Sequence, residues 1–246
     1  MNPVAAFGRK ILRRLGWDIT RLEYSPAEDL VLARLIARVR PVAVLDVGAN
    51  TGQYAGLVRQ CGYDGLIVSF EATHEAHREL SAKASRDTNW VVAPLSAVGS
   101  RSGSVEIFVS ANSMSSSVLP MKHIHEDAEP NSKYVSKQHV PIDTLDALAR
   151  PLIPSSGPLY LKIDTQGYER EVLRGASELL PRIEAVQLEL SLVQLYEGSP
   201  TFTEMVPLLI EMGFELYEMV PGFRDRRSGR LLQVDGFFMR SIASAG

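Results

Sequence analysis

"VLDVGANTGQY", Val44 to Tyr54, is the stretch whose reading decides the fold. An apolar, partly β-branched run interrupted by Asp46 ends in Gly48, and Gly52 follows four residues later. The run from Val42 to Gly48 suits a parallel strand buried on both faces. "QYAGLVRQCG" after it suits a helix closed by Gly62. In open α/β sheets, ligands bind beyond the carboxyl ends of the strands, where such turns lie.

The turn argues against two ligands. A phosphate loop needs GxxxxGK followed by Ser or Thr. Here Gly48 and Gly52 are too close together, and Gln53 stands where the lysine belongs. A dinucleotide fingerprint needs GxGxxG, but counting from Gly48 the next two positions are Asn50 and Gln53. What remains is D-x-G-x-N-x-G at a strand end, with Glu71 closing the next apolar run, "LIVSFE". A carboxylate there accepts two hydrogen bonds from a ribose diol. A ligand with a ribose and no phosphate fits, and S-adenosylmethionine is such a ligand. Asp46 either orders the turn or helps to bind the amino-acid end of the ligand, directly or through water. The plainer alternative makes Gly48 and Gly52 a tight turn and Glu71 a surface residue.

Outward from this turn, strands and helices alternate. "WVVAPLSAV" (90–98), "PLYLKID" (158–164), "AVQLELS" (185–191), "FELYEMV" and "LLQVDGFFMR" read as further strands. "HEAHRELSAKAS", "YEREVLRGASELL" and "TFTEMVPLLIEMG" read as helices between them. The alternation predicts a doubly wound α/β sheet with helices on both faces. One region breaks the rhythm. After the strand "SVEIFV", a polar stretch runs to Pro141, and it reads either as an insertion capping the site or as a solvated loop.

A second informative block is "LYLKIDTQGYEREVLRGA", Leu159 to Ala176. Asp164 ends a buried strand, Gly167 permits a tight exit, and Glu169 opens a helix. Acids also favour helix N-termini, so Asp164 and Glu169 have a capping role as their alternative.

Taken in order, "LDVGANTGQY", "VSFEATHEAHREL", "SAVG", "VPIDTLDAL", "LKIDTQGYEREVLRGA" and "VQLELS" resemble the FkbM-type methyltransferases. The resemblance runs from Val42 to Ser191, with "VDGFFMR" also similar. It implies a class I methyltransferase fold: a mostly parallel, Rossmann-like seven-stranded sheet with an antiparallel closing strand. It also implies S-adenosylmethionine as donor and methylation of a hydroxyl on a sugar, glycolipid or polyketide-type acceptor. The cofactor residues expected are Asp46, Gly48, Ala49, Asn50, Gly52 and Glu71, with Ser96 and Ala97 of the "SAVG" turn. One departure is Ala72, where family members often carry proline after the second-strand acid.

Methyl transfer to oxygen requires positioning and removal of a proton. Asp164 is the first choice for the base and Glu189, in "VQLELS", the second. The alternative is that these two hold a divalent cation such as magnesium. A histidine of the polar stretch is a further choice of base. His123, His125 and Asp127 stand in H-x-H-x-D order, but a zinc hydrolase centre needs more ligands on rigid elements. The competing functions are an NAD-linked oxidoreductase and a non-catalytic S-adenosylmethionine-binding assembly partner.

Composition sets the outer bounds. The 246 residues are 45% hydrophobic, enough for one sizeable core. A net charge of −3 gives no general attraction to nucleic acid. The single cysteine, Cys61, excludes an intrachain disulfide and points to a reducing, cytoplasmic setting. Residues 1–40 read as an N-terminal helical segment and 41–240 as the catalytic domain, with the insertion at about 100–141. The segment puts Val4, Phe7, Ile11, Leu12 and Leu15 on one helix face beside Arg9, Lys10, Arg13 and Arg14. It lacks the long apolar core of a secretory signal. Packing on its own domain or in a homo-oligomer is the preferred role, and peripheral membrane contact is the other.

Overall fold

The computed structural model describes residues 27–241. The expected helix around Val4 to Leu15 lies outside these residues. In chain order the elements are α1 (Glu28–Val39), β1 (Ala43–Val47), α2 (Gln53–Gln60), β2 (Leu66–Phe70), α3 (His74–Ala84) and β3 (Trp90–Val92). Then come β4 (Ala97–Gly99), β5 (Gly103–Ser110), α4 (His123–Ala128), β6 (Tyr134–Thr144) and α5 (Leu145–Ala149). The chain continues with β7 (Leu159–Ile163), α6 (Glu169–Arg174), β8 (Ile183–Ser191), α7 (Phe202–Glu211), β9 (Phe214–Pro221) and β10 (Gln233–Arg240).

Seven strands make the main sheet, in the order β3-β2-β1-β7-β8-β10-β9. From β3 to β8 all neighbours are parallel. β10 is antiparallel to both β8 and β9. The chain order reverses at β1, which pairs with β2 on one side and β7 on the other. The crevice at such a reversal is where this architecture holds ligands.

All five residues of β1 and of β7 are buried, including the charged Asp46 and Lys162, as central strands between two helical layers must be. α1 covers one face with Val31, Leu32, Leu35 and Ile36. Removing each such side chain from water contributes roughly 1.5–3 kcal/mol. These residues pack with Val44, Tyr54, Val58, Ile67 and Tyr160. The opposite face packs Leu45, Val68, Leu161, Val172 and Leu209 into the larger core.

The remaining strands form a second sheet, β4-β6-β5. The run 90–98, read as one strand, is divided between the two sheets. Pro94 has no N–H for a ladder, and the chain leaves the main sheet there. The polar stretch is also more ordered than its composition suggests. β6 pairs with β5 along that strand's length and contains several exposed residues, so its apolar alternation is weak. The helix read over Tyr168–Leu180 is shorter, ending before Gly175, which lies against the Gly99 backbone. Among the described residues no helix is long and apolar enough to cross a membrane.

Candidate active site

A cavity of about 510 Å³ opens over the carboxyl ends of β1, β2, β7 and β8. The second sheet and its serine-rich turn form its lid. Pockets of this size are ordinary for small-molecule ligands.

At one end, Glu71 is fixed by the backbone. Its Oε2 accepts from the Asn50 N–H at 2.9 Å. Its Oε1 accepts from the Thr73 N–H at 2.8 Å and the Thr73 hydroxyl at 2.6 Å. Asn50 has φ 47° and Gly48 φ 78°, and the turn they make aims the Asn50 N–H at the acid. Gly48, Ala49, Asn50, Ser96 and Ala97 also line the cavity. Beside them the lid is apolar, with Ala97 and Ile107 buried against Ala72, Val118 and Tyr168.

Two expected cofactor residues lie elsewhere. Gly52 is absent from the cavity wall, and a Cβ there would meet the Trp90 ring at 2.6 Å. Its glycine serves the packing of α2 against β3. Asp46 sits beneath the cavity floor with 0% exposure. Gly48 does face the cavity, but a Cβ on it would overlap the Asp164 carbonyl. That glycine therefore allows β1 and β7 to exit side by side, a different reason from close ligand approach.

A polar row crosses the parallel strands at and beneath the floor. Ser69, Asp46 and Lys162 are register partners in β2, β1 and β7, and Lys162 pairs onward with Gln187 of β8. Ser69 donates to Asp46 Oδ2 at 3.2 Å. Lys162 Nζ lies 3.6 Å from Asp46 Oδ1 and 3.3 Å from Asp164 Oδ2. Burial works against the ammonium, but Asp164 and Asp46 outweigh it and hold Lys162 charged. Burial raises the Asp46 pKa, with Lys162 opposing. Sequence reading passed over Lys162, although a lone lysine inside "LYLKI" signals a paired charge.

At the other end stand three carboxylates. Asp164 and Glu189 are brought together by one amide. Gln166 Nε2 donates to Asp164 Oδ1 at 2.7 Å and to Glu189 Oε2 at 2.8 Å. Asp235 is the cross-strand partner of Glu189. Burial, reinforced by Asp164, Asp235 and Glu169, pushes the Glu189 pKa well above the usual carboxylate range. Burial, with Glu28 and Asp164, lifts Asp235 to about 7. The signal for Asp235 was an acid between the apolar residues of "LLQVDGFF".

The H-x-H-x-D stretch does not converge. The His123 side chain is 99% exposed, whereas His125 is buried. His125 bonds Ser132 at 3.1 Å and Tyr196 at 3.3 Å and stacks on Phe223. Burial lowers its pKa and keeps the ring neutral. Among the described residues no group of three or more His, Cys, Asp or Glu is arranged to hold a metal. Between Asp164 and Glu189, an amide donor occupies the place a cation would need. The divalent cation expected there has no support in this arrangement.

No curated protein matches the chain. Among solved structures, it is similar to an FkbM methyltransferase from Methylobacillus flagellatus KT, with 12% identity and a TM-score of 0.46 over 80% of this chain. The chain spans only 43% of that protein. It is similar also to a magnesium protoporphyrin IX methyltransferase from Synechocystis PCC 6803, solved with bound S-adenosylmethionine. There the identity is 12% and the TM-score 0.45, over 96% of this chain and 91% of that one. The profile of the methyltransferase FkbM domain matches residues 46–216, from the β1 acid into β9. The match takes in the Glu71 turn, the whole second sheet and the Asp164–Glu189 pair, and the chain belongs to the FkbM methyltransferase family, with its class I methyltransferase fold.

Proposed function

We propose that this methyltransferase transfers a methyl group from S-adenosylmethionine to a hydroxyl oxygen of a neutral, polyhydroxylated acceptor of the sugar, glycolipid or polyketide type. The observation that carries this reading is the pair of carboxylates, Asp164 and Glu189, joined by one amide across the cavity from Glu71.

The lining suits the donor. Glu71 provides the acceptor atoms for a ribose diol, and the apolar walls at Ala72, Ala97 and Val98 suit a flat base. Glu28, Asp164, Glu189 and Asp235, with Lys162 beside them, suit a cationic end. When bound, S-adenosylmethionine supplies an electrophilic methyl on a sulfonium. The chain then has to hold the acceptor oxygen and take its proton. Asp164 and Glu189 offer carboxylate oxygens for both tasks, and the raised Glu189 pKa makes its ionised form a stronger base than a solvated carboxylate. Asn112, Ser113, Ser115 and Ser116 of the lid give neutral hydrogen-bonding groups for acceptor hydroxyls. Among the described residues no arginine lines the wall, which disfavours phosphate-bearing acceptors. The oxidoreductase alternative is set aside by family membership.

Two variants test the reading, Asp164→Asn and Glu189→Gln. Radiolabelled methyl transfer to a panel of sugars and glycolipids should fall by ~10²–10⁴ in at least one of them. Calorimetric affinity for S-adenosylmethionine should stay within a few fold. Full turnover in both variants would overturn the role of the pair. Donor binding without transfer to any hydroxyl would favour the non-catalytic assembly partner.

A further inference from the structure

We propose that Gln166 is the positioning residue that directs the acceptor proton to Glu189 Oε1 and ties that choice to the lid. This deepens the reading above and rests on Asp164 and Glu189 acting as the proton-accepting pair.

Gln166 is not a glycine, yet it holds φ 56°, and it is only 8% exposed. A left-handed non-glycine residue costs of order 1–3 kcal/mol and persists only where its surroundings fix it. Here they fix it at every polar atom of the side chain. An amide nitrogen has two hydrogens, and both are used, one on Asp164 Oδ1 and one on Glu189 Oε2. Oε1 of Gln166 accepts from the Tyr196 hydroxyl at 2.6 Å. The amide cannot be reversed without setting its oxygen against two carboxylates and leaving the Tyr196 proton unmatched.

This pattern divides the carboxylate oxygens. Asp164 Oδ1 and Glu189 Oε2 receive amide hydrogens, and Glu189 Oε2 receives another from Gln233 at 3.1 Å. Asp164 Oδ2 receives the Lys162 ammonium. Among the described residues no donor reaches Glu189 Oε1. As methyl transfer would break the S–C bond of the bound donor and form the new C–O bond, the acceptor O–H bond would break and that oxygen is the one open to the proton.

The same residue is the contact between the lid and the pair. Its backbone carbonyl accepts from Ser117 Oγ at 2.7 Å. Tyr196 also contacts His125 of α4, whose Nε2 lies 3.3 Å from the phenol. With the phenol proton committed to Gln166, its oxygen is left to accept from that ring nitrogen. A shift of the lid at Ser117 or His125 would therefore disturb the amide that separates the two carboxylates.

The test uses the full chain labelled with carbon-13 at glutamate Cδ, titrated by NMR with S-adenosylhomocysteine bound. Glu189→Gln identifies the Glu189 signal. The groups facing it are Asp164 and Lys162 on the β7 side, Asp235 on β10, Glu169 on α6, and Tyr196. Gln166→Met keeps the shape of the side chain and removes both hydrogens. We expect its Glu189 midpoint to rise by about one pH unit or more, a tenfold change in proton affinity, because the carboxylates then repel without a bridge. Tyr196→Phe, which frees the amide to turn, should move the midpoint the same way by less, and it serves if Gln166→Met does not fold. A purely structural role predicts a lower melting temperature and an unmoved Glu189 midpoint. An unmoved midpoint in a folded variant would overturn this proposal alone. Undiminished methyl transfer by both Asp164→Asn and Glu189→Gln would instead remove the reading beneath it.

Discussion

Glu71 carries three hydrogen bonds before any ligand arrives, two from backbone N–H groups. A carboxylate so held is aimed in advance, and hydrogen bonds to a charged group are worth about 1.5–3 kcal/mol each. Glu71→Ala should weaken S-adenosylmethionine binding at least tenfold, since ~1.4 kcal/mol is a factor of ten. It also strands the Asn50 N–H, so part of the loss passes through the turn. Glu71→Gln keeps one acceptor oxygen and should lose less. Equal calorimetric affinities for the three proteins would remove Glu71 from the ribose. Lys162 shows the converse at the same scale. Its charge is spent inside the fold on Asp46 and Asp164, and it stays in place because removing either acid would leave a buried cation underpaired.

At the scale of elements, the β1–α2 turn is shaped by its neighbour β7. Gly48→Ala sets a Cβ against the Asp164 carbonyl at a φ that side chains resist. We expect a loss of about 1–3 kcal/mol in urea unfolding. Cofactor affinity should fall by no more than the population of misplaced turn explains. A Gly48→Ala protein of normal stability that had lost its cofactor would restore the ligand-approach explanation. Much of the main sheet was legible because a strand buried on both faces writes itself as a mainly apolar run, as in "AVLDV" and "LYLKI", each broken by a single charged residue. The second sheet was not. β6 exposes Val135, Ser136 and Lys137 in succession, so periodicity gave no clue to its pairing with β5. In the site, strand-end acids were legible because position alone places them over the crevice. The Gln166 bridge depends on a side chain turned by an unusual backbone angle, which composition does not encode.

Across the whole molecule, the acid-rich cavity links stability to pH. Asp235 has a folded pKa raised to about 7 from 3.8. In that interval the native protein binds more protons than the unfolded chain, so stability falls as pH rises through the window. The ligand-free protein should therefore have a melting temperature that declines from about pH 4 to about pH 7 on this account, and Asp235→Asn should flatten the decline. A melting temperature that climbs over this range, unaltered by Asp235→Asn, would show that other groups dominate. The order of the strands has a consequence for synthesis and truncation. β10 follows β9 in the chain yet lies between β8 and β9 in the sheet. Until it is in place, β8 presents an open row of N–H and C=O groups, and β9 has no partner in the main sheet. A nascent chain paused before Gln233 thus exposes an apolar edge able to recruit strands from other molecules. Removing the chain from Gln233 onward does not trim a tail. It bares the β8 edge and leaves β9 without a neighbour, and the product should collect in inclusion bodies rather than survive as an inactive monomer.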